Sequence, residues 1–170
     1  MDNKSKLITC RQTLVVSNHR VFPQDLNNYG FMFGGRLLAI LDDVASISVS
    51  RFTRRQTVTA SIDQCNFLRS FQKDNSVCME TYVSGVGSRS IEVFAKVIGE
   101  SLFSDERYIG ATAFMTFVLR DSAPVINQLV PESDEEKAVV AGYAARKANR
   151  HVELIANQEL MKQLNTNFPW

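Results

Sequence analysis

Residues 34–52 carry one long helical pattern of apolar side chains, and residues 56–119 follow with strand patterns and no second helix among them. At 100° per residue, Leu37, Leu38, Ile40, Leu41, Val44, Ala45, Ile47 and Val49 share one broad arc. Arg36, Asp43, Ser46 and Ser50 take the opposite arc. Fully formed, this helix is ~27 Å long at 1.5 Å per residue, long enough to cross a sheet. Four strands are expected after it, over residues 57–69, 76–85, 90–99 and 108–120. In the first, Val58, Ala60 and Ile62 alternate, and then Cys65 and Phe67 take the other parity, which predicts a bulge between Ile62 and Cys65. Gly85-Val86-Gly87 and the loop over residues 100–106 predict consecutive antiparallel pairing. An α+β fold follows, with one buried helix against an antiparallel sheet.

The flanks add detail. Residues 10–16 read as a strand centred on Leu14, Val15 and Val16. Residues 23–33 hold turn chemistry at Pro23, Asn27, Asn28 and Gly30. They also hold Tyr29, Phe31, Met32 and Phe33, just after Phe22, so the loop is expected to pack or to line a pocket. Ser133-Asp134-Glu135-Glu136 is a capping box that opens a C-terminal helix, with Arg146, Lys147 and Arg150 expected at its far end. A further amphipathic segment covers residues 151–164.

Composition narrows the function classes. Nineteen Lys plus Arg against eighteen Asp plus Glu leave a formal charge of +1, which argues against a polyanion scaffold and hence against nucleic acid as a partner. Cys10, Cys65 and Cys78 cannot complete a disulfide framework and suit a reducing compartment. No apolar run reaches signal-peptide or membrane-span length, so a cytoplasmic protein without membrane insertion is expected. Cys-x-x-Cys, His-x-x-x-His, P-loop and Gly-x-Ser-x-Gly patterns are missing, so no metal is assigned. Neither His19 nor His151 has an adjacent nucleophile and orienting group. Cys65 lies in mid-strand with nothing to lower its pKa, so a small buried thiol is the reading.

Two features of the long helix could carry chemistry. Asp42 and Asp43 interrupt it as adjacent carboxylates. Asp43 falls in the polar arc, whereas Asp42 sits at the edge of the apolar arc, near Leu38 and Val49, where partial desolvation would raise its basicity. Gly34-Gly35 opens the helix, either for tight steric passage or so that free N–H groups and the helix dipole face a developing oxyanion.

The assembled order is more specific than its parts. It runs Pro23, Asp25-Leu26-Asn27-Asn28-Tyr29-Gly30, Phe33-Gly34-Gly35, Leu37-Leu38 and Asp42. Val58-Thr59-Ala60-Ser61-Ile62-Asp63, Asn66-Phe67-Leu68, Val86-Gly87-Ser88-Arg89-Ser90 and the segment 111–118 follow. Over residues 10–120 this resembles the hot-dog-fold acyl-CoA thioesterases, in the branch shared by bacterial and eukaryotic acyl-CoA hydrolases. The resemblance implies a curved antiparallel sheet wrapped around the long helix over residues 1–125, with a helical extension over residues 126–170. It implies dimers that share a continuous sheet, commonly assembled as trimers of dimers, with the active site at the subunit interface. By position, Asn27 and Asp42 match the family's catalytic Asn and Asp. Thr59 matches a strand residue facing the same site, and Gly34 and Gly35 match the glycines that open the helix.

Four residues at three places depart from the family pattern. Asn28 stands where His is frequent, Ser70 where Pro is frequent, and Asp74-Asn75 where Gly-Asp is frequent. The activity implied is hydrolysis of acyl-CoA to free acid and coenzyme A with no cofactor, since coenzyme A belongs to the substrate. Asp42 would activate water or attack the carbonyl itself, and Arg69, Ser88, Arg89, Ser90, Arg146, Lys147 and Arg150 are candidates for holding the coenzyme. A non-catalytic acyl-CoA-binding sensor or regulator of the same fold is the alternative. A hydratase of the same fold is a second rival, which the positions of His19 and His151 disfavour.

Overall fold

A computed structural model describes residues 5–167. Its first elements are β1 (Leu7–Thr9), α1 (Cys10–Thr13) and β2 (Val15–Arg20), and after a 3₁₀ turn at Pro23–Asp25 comes α2 (Gly34–Thr53). The strands β3 (Thr57–Phe67), β4 (Asn75–Val86), β5 (Ser90–Ser101) and β6 (Arg107–Leu119) follow. The chain continues with β7 (Gln128–Val130), α3 (Asp134–Ala141) and α4 (Tyr143–Met161). Five strands form one antiparallel sheet in the order β2-β4-β5-β6-β3, and β1 pairs with β7 in a separate parallel ladder. No helix among the described residues is long and apolar enough to cross a membrane.

The alternation along the strands decides which face holds α2. Met79, Val93, Ala113 and Met115 pack against Leu37, Leu41, Val44 and Val49 of the helix in one core. The sheet thereby curves around a central helix, the hot-dog arrangement that the resemblance implies. The helix wheel is modified in its middle. Ile47 is exposed, whereas Ser48 is buried and hydrogen-bonds Thr81 of β4 through both the Thr81 carbonyl (3.0 Å) and its hydroxyl (2.8 Å). A polar residue can enter the core because its hydroxyl is satisfied there.

The expected bulge in β3 lies between Asp63 and Asn66, with Gln64 at φ 44°, and a second register shift against β6 falls between Thr59 and Ser61. β4, β5 and β6 pair consecutively, while β3 returns to the far edge beside β6. Asp74, where the family frequently has Gly, takes φ 66°, a backbone that Asp tolerates.

Two expectations need correction. Residues 10–13 are a helical turn and not the start of a strand. Thr9 and Gln12 form a reciprocal capping box around that turn, and the Thr13 hydroxyl accepts from Val83 N–H at 3.0 Å. The second concerns Arg146, Lys147 and Arg150, which do not end the helix opened by the Ser133 capping box. That helix stops at Ala141, and the three basic residues occupy the early turns of α4.

Candidate functional site

The 23–33 loop is folded by its hydrogen bonds, with most of its aromatics outside the core. The Asn27 side-chain carbonyl accepts from Tyr29 N–H (2.9 Å) and Phe31 N–H (3.2 Å). The Asn27 main-chain carbonyl accepts from Gly30 N–H (3.1 Å), and Gly30 turns the chain at φ 83°. Asn27 is thus oriented by its own carbonyl, and its NH₂ group is left over for another acceptor. Met32 is buried, but Phe22, Tyr29 and Phe33 stay exposed.

Asp25 anchors this loop, a role that no local pattern marks. It is 2% exposed, and its carboxylate accepts from Phe22 N–H (2.9 Å) and Arg36 Nε (3.2 Å) and meets His19 Nε2 at 2.8 Å. Burial opposes its charge, yet the Phe22, His19 and Arg36 partners outweigh that and hold its carboxyl below the ordinary 3.8. Asp25 joins β2, the loop and the first turn of α2, so it fixes Asn27 relative to Gly34. A folded value depressed below the unfolded one gives stability that is present above about pH 4 and lost as pH falls through the folded value. Asp25→Asn is expected to cost about 2 kcal/mol near neutrality. Thermal melts from pH 7 down to pH 3 should show the gap to the unaltered chain narrowing below about pH 4.

At the start of α2, Phe33 provides no side-chain cap. The first helical donors to find acceptors are Arg36 N–H and Leu37 N–H, both on the Phe33 carbonyl. Among the described residues, Gly34 and Gly35 N–H find no acceptor in the chain, so they stay available to an oxygen at the positive end of the helix dipole. A Cβ at Gly35 would come within 2.6 Å of the Phe33 ring, a close approach that glycine permits. Asn27, Phe31, Met32 and Gly34 line a pocket of about 410 Å³ together with Leu37, Phe67 to Phe71. Phe31 and Met32 therefore belong to the expected apolar cluster beside the site, while Phe33 lies outside the pocket lining with its ring against Gly35.

Asp42 is half-buried and Asp43 exposed, in agreement with the wheel. Thr59 on β3 donates its hydroxyl to Asp42 Oδ1 at 2.8 Å. Within one chain these two residues do not line the pocket of Asn27 and Gly34. Eight residues of helix separate Gly34 from Asp42, about 12 Å along the axis. Within one chain, Asn27 with Gly34 and Gly35 and Asp42 with Thr59 therefore form two separate groups.

The coenzyme candidates scatter. Arg69 lines the pocket, lies 4.1 Å over the Tyr108 ring and pairs with Glu106 at 2.6 Å. Ser88 and Arg89 are exposed and Ser90 half-buried at the β4–β5 turn, outside that lining, and Arg89 donates to the Leu119 carbonyl at 3.2 Å. Lys147 is exposed beside Tyr143.

Arg146 is engaged elsewhere. It donates to both carboxylate oxygens of Glu92 at 2.8–3.2 Å and lies 3.8 Å over the Phe114 ring. Glu92 is fully buried and also receives Ser84 Oγ (2.8 Å) and Arg150 Nη1 (2.6 Å). Removing Arg146 leaves the buried Glu92 carboxylate with Arg150 and Ser84 alone, and takes away the two-pronged guanidinium contact that offsets most of its burial. Arg146→Met is accordingly expected to destabilise by about 3 kcal/mol, a fall in Tm of roughly 6–12 °C for a chain of this size. Calorimetry checks the fall in Tm, and a coenzyme-binding role would instead appear as a raised KM with Tm unchanged.

The cysteines are not activated. Burial pushes Cys10 up to about 12, and burial raises Cys65 and Cys78 as well. The thiolate needed for nucleophilic attack is disfavoured at all three.

The Thioesterase superfamily profile matches residues 29–101. The chain is 45% identical over 170 residues to an uncharacterized acyl-CoA thioester hydrolase, YkhA, of Bacillus subtilis, covering 95% of both chains. The acyl-CoA hydrolase of Staphylococcus aureus, solved with butyryl coenzyme A, coenzyme A and coenzyme A disulfide, superposes with a TM-score of 0.87 at 28% identity. That match covers 92% of this chain and 98% of the other. An apo-hexameric acyl-CoA thioesterase superposes with a TM-score of 0.83 at 29% identity, covering 88% and 97%. The chain belongs to the acyl-CoA thioester hydrolase family.

Proposed function

We propose that this protein hydrolyses acyl-CoA thioesters to a free carboxylic acid and coenzyme A, at a site formed by two copies of the chain. One observation carries this reading. The two half-sites on a single chain are complementary in chemistry but apart in space, one holding N–H donors and the other a carboxylate. Gly34 or Gly35 N–H polarises the thioester carbonyl and receives the charge that develops on its oxygen. Asn27, with its side-chain carbonyl already bound within the loop, offers NH₂ to the water or the thioester. Asp42 of the second copy takes the proton of the attacking water, and Thr59 holds Asp42 in orientation. The tetrahedral adduct collapses with cleavage of the C–S bond, and the proton held by Asp42 passes to the departing sulfur, so that coenzyme A leaves as the thiol and the carboxylate is restored. The pocket walls formed by Phe31, Met32 and Leu37 take the acyl chain, and Arg69 at the same pocket meets the coenzyme phosphates.

The surface of β3 supports the pairing. It is an edge strand of the sheet, yet Val58, Ile62 and Phe67 along it are exposed, 51%, 40% and 55% respectively. An apolar edge with free ladder groups is a template for another strand. A second β3 completes it as an isologous contact and extends the sheet across both copies. Relatives of hexameric form accord with such dimers as the building block.

The test is thiol release from a panel of acyl-CoAs of increasing chain length. Turnover of at least one chain length is the expected result. Saturable binding across the whole panel without thiol release would replace hydrolysis by a sensor or regulator of the same fold.

A further inference from the structure

Helix α4 does not end where its own sheet ends. Its course over the outer face of the sheet follows the strand order. Tyr143 packs over Gly85 at the end of β4, so closely that a Cβ there would lie 2.0 Å from the ring. Arg146 lies over Phe114 of β6 and on Glu92 of β5. Arg150 reaches Asp63 of β3 at 3.4 Å as well as Glu92. β3 is the last strand on this side. Residues 151–161 continue the helix and are all exposed. Eleven residues add about 16 Å at 1.5 Å each, the width of roughly three strands.

The overhang keeps the apolar character of a packed helix. At 100° per residue, Leu154 and Met161 return to within about 20° of the direction of Tyr143 and within about 40° of that of Arg150. Both are exposed, at 58% and 69%. The face that α4 turns toward its own sheet is therefore the face on which these two side chains continue beyond the sheet.

We infer that residues 151–161 of α4 dock on the outer face of the second copy, through Leu154 and Met161, as a strap across the dimer. The inference rests on the β3-to-β3 pairing proposed above. Once β3 meets its partner strand, the surface just past this edge, at the level of α4, is the outer face of the second copy. Continuity with that interface names the occupant. Two-fold symmetry sends the equivalent helix back the other way, so the two overhangs lie side by side and antiparallel.

The experiment compares the unaltered chain with the double variant Leu154→Lys, Met161→Lys. Both positions are exposed within one chain, so the variant is expected to fold, with unchanged helix content by circular dichroism. Sedimentation over a dilution series gives the dimer dissociation constant, expected to rise roughly tenfold or more in the variant. Hydroxyl-radical footprinting of the unaltered chain reads Met161 directly, and its oxidation is expected to be slow in the dimer and fast once dilution separates the copies. An unchanged dissociation constant with Met161 oxidised freely in the dimer would overturn the strap and leave the β3 pairing standing. Loss of hexamers with the dimer constant unchanged would also overturn it, by moving the contact between dimers. An unaltered chain that is monomeric at all concentrations would overturn the β3 pairing and the strap together.

Discussion

Asp42→Asn is expected to remove nearly all acyl-CoA hydrolysis, a loss of 10²-fold or more on the proposal that Asp42 is the general base. The substitution preserves shape and the capacity to accept from Thr59, whose hydroxyl lies 2.8 Å from Asp42 Oδ1. What disappears is the carboxylate charge that draws the proton from water. The fall belongs in kcat, because Asp42 is assigned to the chemical step and not to uniform substrate binding. Asp43 supplies the internal control. It is one residue along the same helix but exposed, and among the described residues its carboxylate meets no partner, Ser46 Oγ donating to its main-chain carbonyl at 2.7 Å. Asp43→Asn should leave steady-state rates within a few-fold of the unaltered chain, and equal losses for the two variants would remove Asp42 from its assigned role.

The separation of these two carboxylates was legible in the sequence because helix periodicity is a local property. One residue is 100° of rotation, and the neighbouring apolar positions say which direction is inward. The β3 bulge was legible for the same reason, since a parity change between Ile62 and Cys65 must be absorbed by an extra residue. The succession of a long helix and four long strands along the chain likewise followed from patterns within single segments, whereas the place of β3 at the far edge beside β6 did not.

What escaped the sequence depends on distant partners. Arg146 and Arg150 resembled basic residues at a helix end or on a phosphate site, but their partner Glu92 lies 54 and 58 residues away. Nothing local marks a glutamate on β5 as buried, because one buried charge is tolerated only when others arrive to meet it. Asp25 was hidden similarly, as its role needs His19 from β2 and Arg36 from α2 on the same carboxylate. A motif of Asp, Asn and Gly in a loop reads as turn chemistry, and turn chemistry does not distinguish a solvated carboxylate from an anchor. Residues 10–13 were missed by a different route. A single capped turn between two strands is too short to leave a helical period.

The two half-sites make the central claim open to a direct test by subunit mixing. Asn27→Ala removes the presented amide from one half-site, and Asp42→Asn removes the carboxylate from the other. Each protein alone is expected to be nearly inactive. After full exchange of equal amounts, half of the dimers carry one copy of each variant. In such a dimer one site receives both lesions, and the other joins an intact Asn27 to an intact Asp42. Recovery should therefore approach about 25% of the sites in the mixture, by the two-fold symmetry of an isologous dimer. Thiol release from the mixture, measured after exchange has been verified by mass-labelled subunits, gives the answer. Activity rising toward that fraction is the predicted result, and a mixture that exchanges fully yet remains inactive would contradict a site shared between two chains.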